Sequence, residues 1–95
     1  MPKKAETLFK EKVMRDLKSI PKIWFFKTQE VSRMGIPDLI ICLKSRFIAL
    51  ELKMKDGKLT PLQAYTLQEI LSAGGEAFAV TPETWPEQRN LLKAL

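Results

Sequence analysis

Apolar residues recur at Phe9, Val13, Leu17 and Ile20, at spacings of four, four and three, which predicts an amphipathic helix over 6–19. Lys10, Lys12, Arg15 and Lys18 fill its other faces, and Pro21 ends it. The aromatic run Ile23-Trp24-Phe25-Phe26-Lys27 predicts a short strand, and the polar stretch 28–37, with Gly35 and Pro37, a loop. Two β-rich segments, 38–43 and 47–53, predict strands joined at Lys44-Ser45-Arg46. A polar loop around Asp56-Gly57 follows. Thr60-Pro61-Leu62-Gln63 then combines an N-cap, a proline at the first helical position and a glutamine at the third, so a helix runs to Ala73 and stops at Gly74-Gly75. Residues 76–80 predict a last strand. Thr81 or Thr84 caps a C-terminal helix carrying Leu91, Leu92 and Leu95. The order αβββαβα implies an α/β fold, a mixed central sheet flanked by helices.

The hairpin sets a register. If Lys44-Ser45 is a two-residue turn, Leu43 faces Arg46, and paired residue numbers keep a constant sum of 89. Asp38 then faces Glu51. Lys-Ser is not a favoured tight turn; a four-residue loop keeps this register and a three-residue loop breaks it. Directly opposed residues hold their Cβ atoms ~5 Å apart on one face. Lys53, two residues beyond Glu51, shares that face, as do Phe47 and Ala49. Two carboxylates this close repel unless a cation lies between them. Two acids and an ammonium suit Mg²⁺, which takes hard oxygen ligands and keeps several waters. The competing reading makes Asp38 a turn residue after Pro37, and Glu51 and Lys53 the solvated side of an amphipathic strand.

Composition narrows the chemistry. The 95 residues predict one domain, 1–95, small enough that a second copy would add useful burial. Lys and Arg total 16 against 11 acids, a net +5 that favours a polyanionic partner. There is no histidine, which removes Ser-His-Asp triads and histidine-based zinc sites. The single cysteine, Cys42, permits no intrachain disulfide and fits a reducing, cytoplasmic setting. No apolar run approaches the ~18 residues that span a membrane, and Met1-Pro2-Lys3-Lys4 leads no signal-peptide core.

Two further polar residues sit on helical core positions. Glu6 lies seven residues before Val13, about 20° away around the helix, on the buried stripe. It belongs either to the site or to the favourable negative charge at a helix start. Gln63, on the side of Leu67 and Ile70, is a capping-box residue, a site residue, or both. Arg33, Lys55 and Lys58 flank the expected site as candidate phosphate contacts, or are ordinary loop charges. Trp24, Phe25 and Phe26 read as core or dimer interface rather than a base-stacking platform, and Trp85 admits either a buried or a surface role.

On Gly35-Ile36-Pro37-Asp38-Leu39-Ile40, Glu51-Leu52-Lys53, Thr60-Pro61-Leu62-Gln63 and Glu6, the chain resembles the PD-(D/E)xK nuclease superfamily, and within it the VRR-NUC family. The likeness spans nearly the whole chain. E-x-K alone recurs by chance, whereas an aspartate 13 residues before Glu51 and a glutamine 12 after it make a specific ordered set. The resemblance implies a restriction-endonuclease-like core and a Mg²⁺- or Mn²⁺-dependent DNA endonuclease. It implies that Asp38, Glu51 and the Leu52 carbonyl ligate the metal, with Glu6 completing the set directly or through water. Lys53 would position or activate the attacking water, and Gln63 would support the site. It also implies a phage-like stand-alone nuclease working as a homodimer, with branched DNA among its substrates as for Holliday-junction resolvases. Two other functions compete: a non-catalytic DNA-binding module on a nuclease-like fold, and a protein-interaction subunit whose charge is incidental.

Overall fold

The computed structural model describes residues 3–28 and 34–95. The elements are α1 (Ala5–Lys18), β1 (Trp24–Lys27), β2 (Leu39–Leu43), β3 (Arg46–Leu52), α2 (Pro61–Ser72), β4 (Glu76–Val80) and α3 (Trp85–Lys93). The αβββαβα order of a restriction-endonuclease-like α/β fold is therefore present. The strands lie in one sheet in the order β1-β2-β3-β4. The first two pairings are antiparallel and β3–β4 is parallel, with α2 as the crossover that a parallel step requires.

The register is the one the hairpin arithmetic anticipates: Leu43 pairs with Arg46 and Leu39 with Leu50. Lys44 and Ser45 form the two-residue turn with φ of 53° and 64°. Two left-handed residues in succession give the turn a twist that matches its strands. Lys and Ser rarely take this conformation, which is why propensity alone disfavours the tight turn that is present.

Strand alternation divides the sheet. Leu39, Ile41 and Leu43 of β2 and Ile48, Leu50 and Leu52 of β3 form one buried face. Phe9, Val13 and Leu17 of α1 and Trp85 and Leu92 of α3 cover it. The other face is partly open. Trp24 opposes Cys42, which opposes Phe47, and all three are exposed. Trp24 is 60% and Phe26 54% exposed, so the core assignment fails for both; only Phe25, of opposite alternation, packs against the core. Trp24 and Phe26 stack with ring centroids 6.4 Å apart.

Trp85 is fully buried, and its indole N–H donates to Asp16 Oδ2 at 2.9 Å. Arg89 and Lys12 approach the same oxygen at 3.5 and 3.7 Å. Burial alone would raise the Asp16 pKa. The Trp85 hydrogen bond and the two cations outweigh it and hold the carboxyl below its usual range. This cluster ties α3 to α1.

Candidate active site

The strand ends open into a cleft of about 360 Å³. Glu6, Phe9 and Lys10 of α1 form one wall. Asp38, Glu51, Leu52 and Lys53 form the floor, Met54 and Gly57 of the following turn one rim, and Gln63 of α2 the other.

Asp38 lies one residue before β2 and is pinned from both sides. Thr28 of the segment after β1 donates its backbone N–H to the Asp38 carbonyl at 2.9 Å and its hydroxyl to the Pro37 carbonyl at 2.6 Å. Across the sheet, the Leu52 N–H donates to Asp38 Oδ2 at 2.8 Å. The carboxylate thus occupies the place where the β2–β3 ladder would have continued. An extended residue directs its N–H and C=O to the same side, so the Leu52 carbonyl also turns toward Asp38. Upstream, Gly35 has φ +81°, and a Cβ there would stand 2.6 Å from Leu62 Cγ. Only glycine lets this loop run against the start of α2 and deliver Pro37-Asp38 to the cleft.

Glu51 follows Leu50 one step beyond the Leu39–Leu50 pair of the hairpin, opposite Asp38, and is only 4% exposed. Its neighbours on the same face are Ala49 below and the half-buried Lys53 above. A carboxylate borne on an interior strand, beside Ala49 and across from Ala79 of β4, has little freedom to move. The Lys53 N–H bonds the Val80 carbonyl at 2.9 Å, which extends the parallel pairing and fixes where the Lys53 side chain leaves the sheet.

Gln63 forms both halves of the capping box: Thr60 N–H to Gln63 Oε1 at 2.9 Å, and Gln63 N–H to Thr60 Oγ1 at 3.1 Å. It also lines the cleft, so both of its sequence readings hold as placements. Glu6 lines the cleft too, but it is exposed at the first turn of α1 rather than on the buried stripe. The helix starts where the sheet ends, so the stripe has nothing to bury against there. Among the described residues, no three His, Cys, Asp or Glu side chains gather into a metal-holding group, and Glu6 therefore does not close a three-carboxylate cage with Asp38 and Glu51. Lys55 and Lys58 are exposed beside the cleft without lining it. Arg33 lies outside the described residues.

Lys10 escaped the sequence reading, which placed it on another helix face. Its Nζ is 3.6 Å from Asp38 Oδ1. The available signal was its position four residues after Glu6, one helical turn along the same side.

Hard oxygen donors from Asp38, Glu51 and the Leu52 carbonyl, in a polar cleft open to water, fit Mg²⁺ or Mn²⁺. Magnesium commonly takes one or two carboxylates and fills its remaining positions with water and substrate phosphate.

No family model matches the sequence, and no curated protein matches it. Among solved structures, one described as a VRR-NUC domain is similar over 92% of this chain and 91% of its own, with a TM-score of 0.73 and 20% sequence identity. Similarity over nearly the full length of both chains means that the cleft stands in a complete common architecture rather than a shared fragment. The chain has the fold of a VRR-NUC domain.

Proposed function

We propose that this protein is a Mg²⁺- or Mn²⁺-dependent DNA endonuclease. The observation that carries the reading is the convergence of Asp38, Glu51 and Lys53 on one polar cleft at the strand ends. Asp38, Glu51 and the Leu52 carbonyl would hold the ion, and Glu6 would reach it through water from the rim. When bound, the ion polarises a phosphate oxygen and acidifies a water. Lys53 orients that water against the scissile phosphate. In the hydrolysis the water oxygen would bond phosphorus as the bridging P–O bond breaks, and the proton that this water releases would reach the leaving oxygen.

DNA as substrate follows from the net charge of +5 and from Lys55 and Lys58 exposed beside the cleft. The exposed Trp24, Phe26 and Phe47 on the open sheet face favour a homodimer, and paired clefts suit branched DNA with two symmetric strands to cut.

The test is a cleavage panel of duplex, nicked, flap and four-way DNA with Mg²⁺ and with Mn²⁺. Wild type cuts at least one substrate, EDTA stops it, and Glu51→Ala abolishes cutting while DNA binding persists. Undiminished cutting by Glu51→Ala, or in EDTA, removes the proposal. Metal-independent binding with no cutting anywhere would make the chain a DNA-binding module instead.

A further inference from the structure

The two oxygens of Asp38 are engaged in different ways. Oδ2 accepts from the Leu52 backbone N–H at 2.8 Å, a donor fixed by the sheet. Oδ1 faces the Lys10 ammonium at 3.6 Å, at the end of a flexible stem whose side chain is 38% exposed. An ion pair this loose and this wet contributes little to stability, so it exchanges readily. Lys10 and the proposed ion also compete for one acceptor. An ammonium at Oδ1 repels a divalent cation arriving there, while without that cation it offsets the charge of Asp38 beside Glu51.

We infer that Lys10 is a placeholder cation that holds Asp38 until a divalent ion takes the carboxylate, then passes to a DNA phosphate in the same cleft. This rests on the metal-dependent reading above. Lysine suits the exchange: it is a point charge with three rotatable donors on a four-carbon stem, and it lines the cleft in which the phosphate must lie. The consequence is coupling. Ion binding frees Lys10 for phosphate, and phosphate gives the displaced ammonium a new partner. Ion and DNA therefore strengthen each other's binding, by the same factor in each direction.

Two measurements on the full chain test this. In titration calorimetry with Mn²⁺ or Mg²⁺ and no DNA, Lys10→Met binds the ion about fivefold more tightly than wild type, the order expected for removing a water-screened like charge at this spacing. Lys10→Arg keeps the charge and stays near wild type. In the second, binding to phosphorothioate-linked DNA, which keeps its backbone charge and resists hydrolysis, is followed against salt. With Mg²⁺ present, log affinity falls more steeply for wild type than for Lys10→Met, by about one unit of slope for one lost phosphate contact; in EDTA the two slopes coincide. If wild type binds the ion and cuts DNA while Lys10→Met shows unchanged ion affinity, or slopes that match in both buffers, this inference falls and the nuclease reading stands. If neither protein binds an ion and neither cuts, both fall.

Discussion

Lys12 and Lys10 of helix α1 each meet an aspartate in contacts of similar length that differ in everything that matters. Lys12 meets Asp16 at 3.7 Å and Lys10 meets Asp38 at 3.6 Å. The side chains of the two aspartates are almost equally accessible, at 18% and 19%. Asp16, however, is closed in by a buried Trp85 N–H and by Arg89 on the same oxygen. Asp38 has one fixed donor on one oxygen and a solvent-accessible ammonium near the other, at the floor of a cleft shared with Glu51. Burial and pairing thus fail to separate the structural carboxylate from the one we propose as a metal ligand. What separates them is whether an oxygen can be released to a newcomer without leaving a buried donor orphaned.

The comparison breaks if the two positions fail to dissociate. Asp38→Asn retains an oxygen for the Leu52 N–H but loses the charge. Cutting should fall at least about a hundredfold, because the metal's contribution is several kcal/mol and each factor of ten is about 1.4 kcal/mol. Its urea midpoint should stay close to wild type. Asp16→Ala should do the reverse. It strands the buried Trp85 N–H, which costs about 1–3 kcal/mol, read from urea unfolding. Each kcal/mol lowers the melting temperature by roughly 4–8 °C in a domain of this size, while cutting measured well below the melt is unchanged.

Acid titration sharpens the same contrast. The folded pKa of Asp16 lies below its usual 3.8, so its stabilisation is present above that value and is lost as pH falls through the lowered folded pKa. Stability followed from pH 6 down to pH 2 should therefore decline less steeply in Asp16→Asn than in wild type. Parallel curves would mean that the Trp85 and Arg89 contacts do not favour the ionised form.

Register and site were legible in the sequence because they rest on geometry that few forces override. Strand pairing advances by whole residues, so one turn placed Asp38 opposite Glu51, and Leu39–Leu50 pairing bears that out. The elements missed the expected bounds by a residue or so, as fraying ends do. Three things were hidden, each for a tertiary reason. The choice between core and dimer interface for Trp24 and Phe26 stayed open because hydrophobicity carries no sign of which sheet face a helix will cover. Glu6 looked buried because helical periodicity runs on past the point where the sheet stops. Lys10 looked like surface filler because its meaning depends on Asp38, 28 residues away in sequence and 3.6 Å away in space.

Gln63 gives the smallest expected effect and the finest discrimination. Its amide oxygen accepts the Thr60 N–H, and its NH₂ group takes no part in the capping box. Removing the side chain in Gln63→Ala undoes half of the capping box and should cost about 0.5–1 kcal/mol in urea unfolding. Gln63→Glu preserves an acceptor for Thr60 and adds negative charge near the positive start of α2, so its stability should match or exceed wild type. If Gln63 serves the site only by anchoring α2 against it, Gln63→Ala should cut within about threefold of wild type below its melt, since a lost contact to the reacting groups costs tenfold or more. A larger loss of cutting in Gln63→Ala, with stability restored and cutting still low in Gln63→Glu, would move Gln63 from the support of the site to its chemistry, and would place α2 beside β3 as a source of reacting groups.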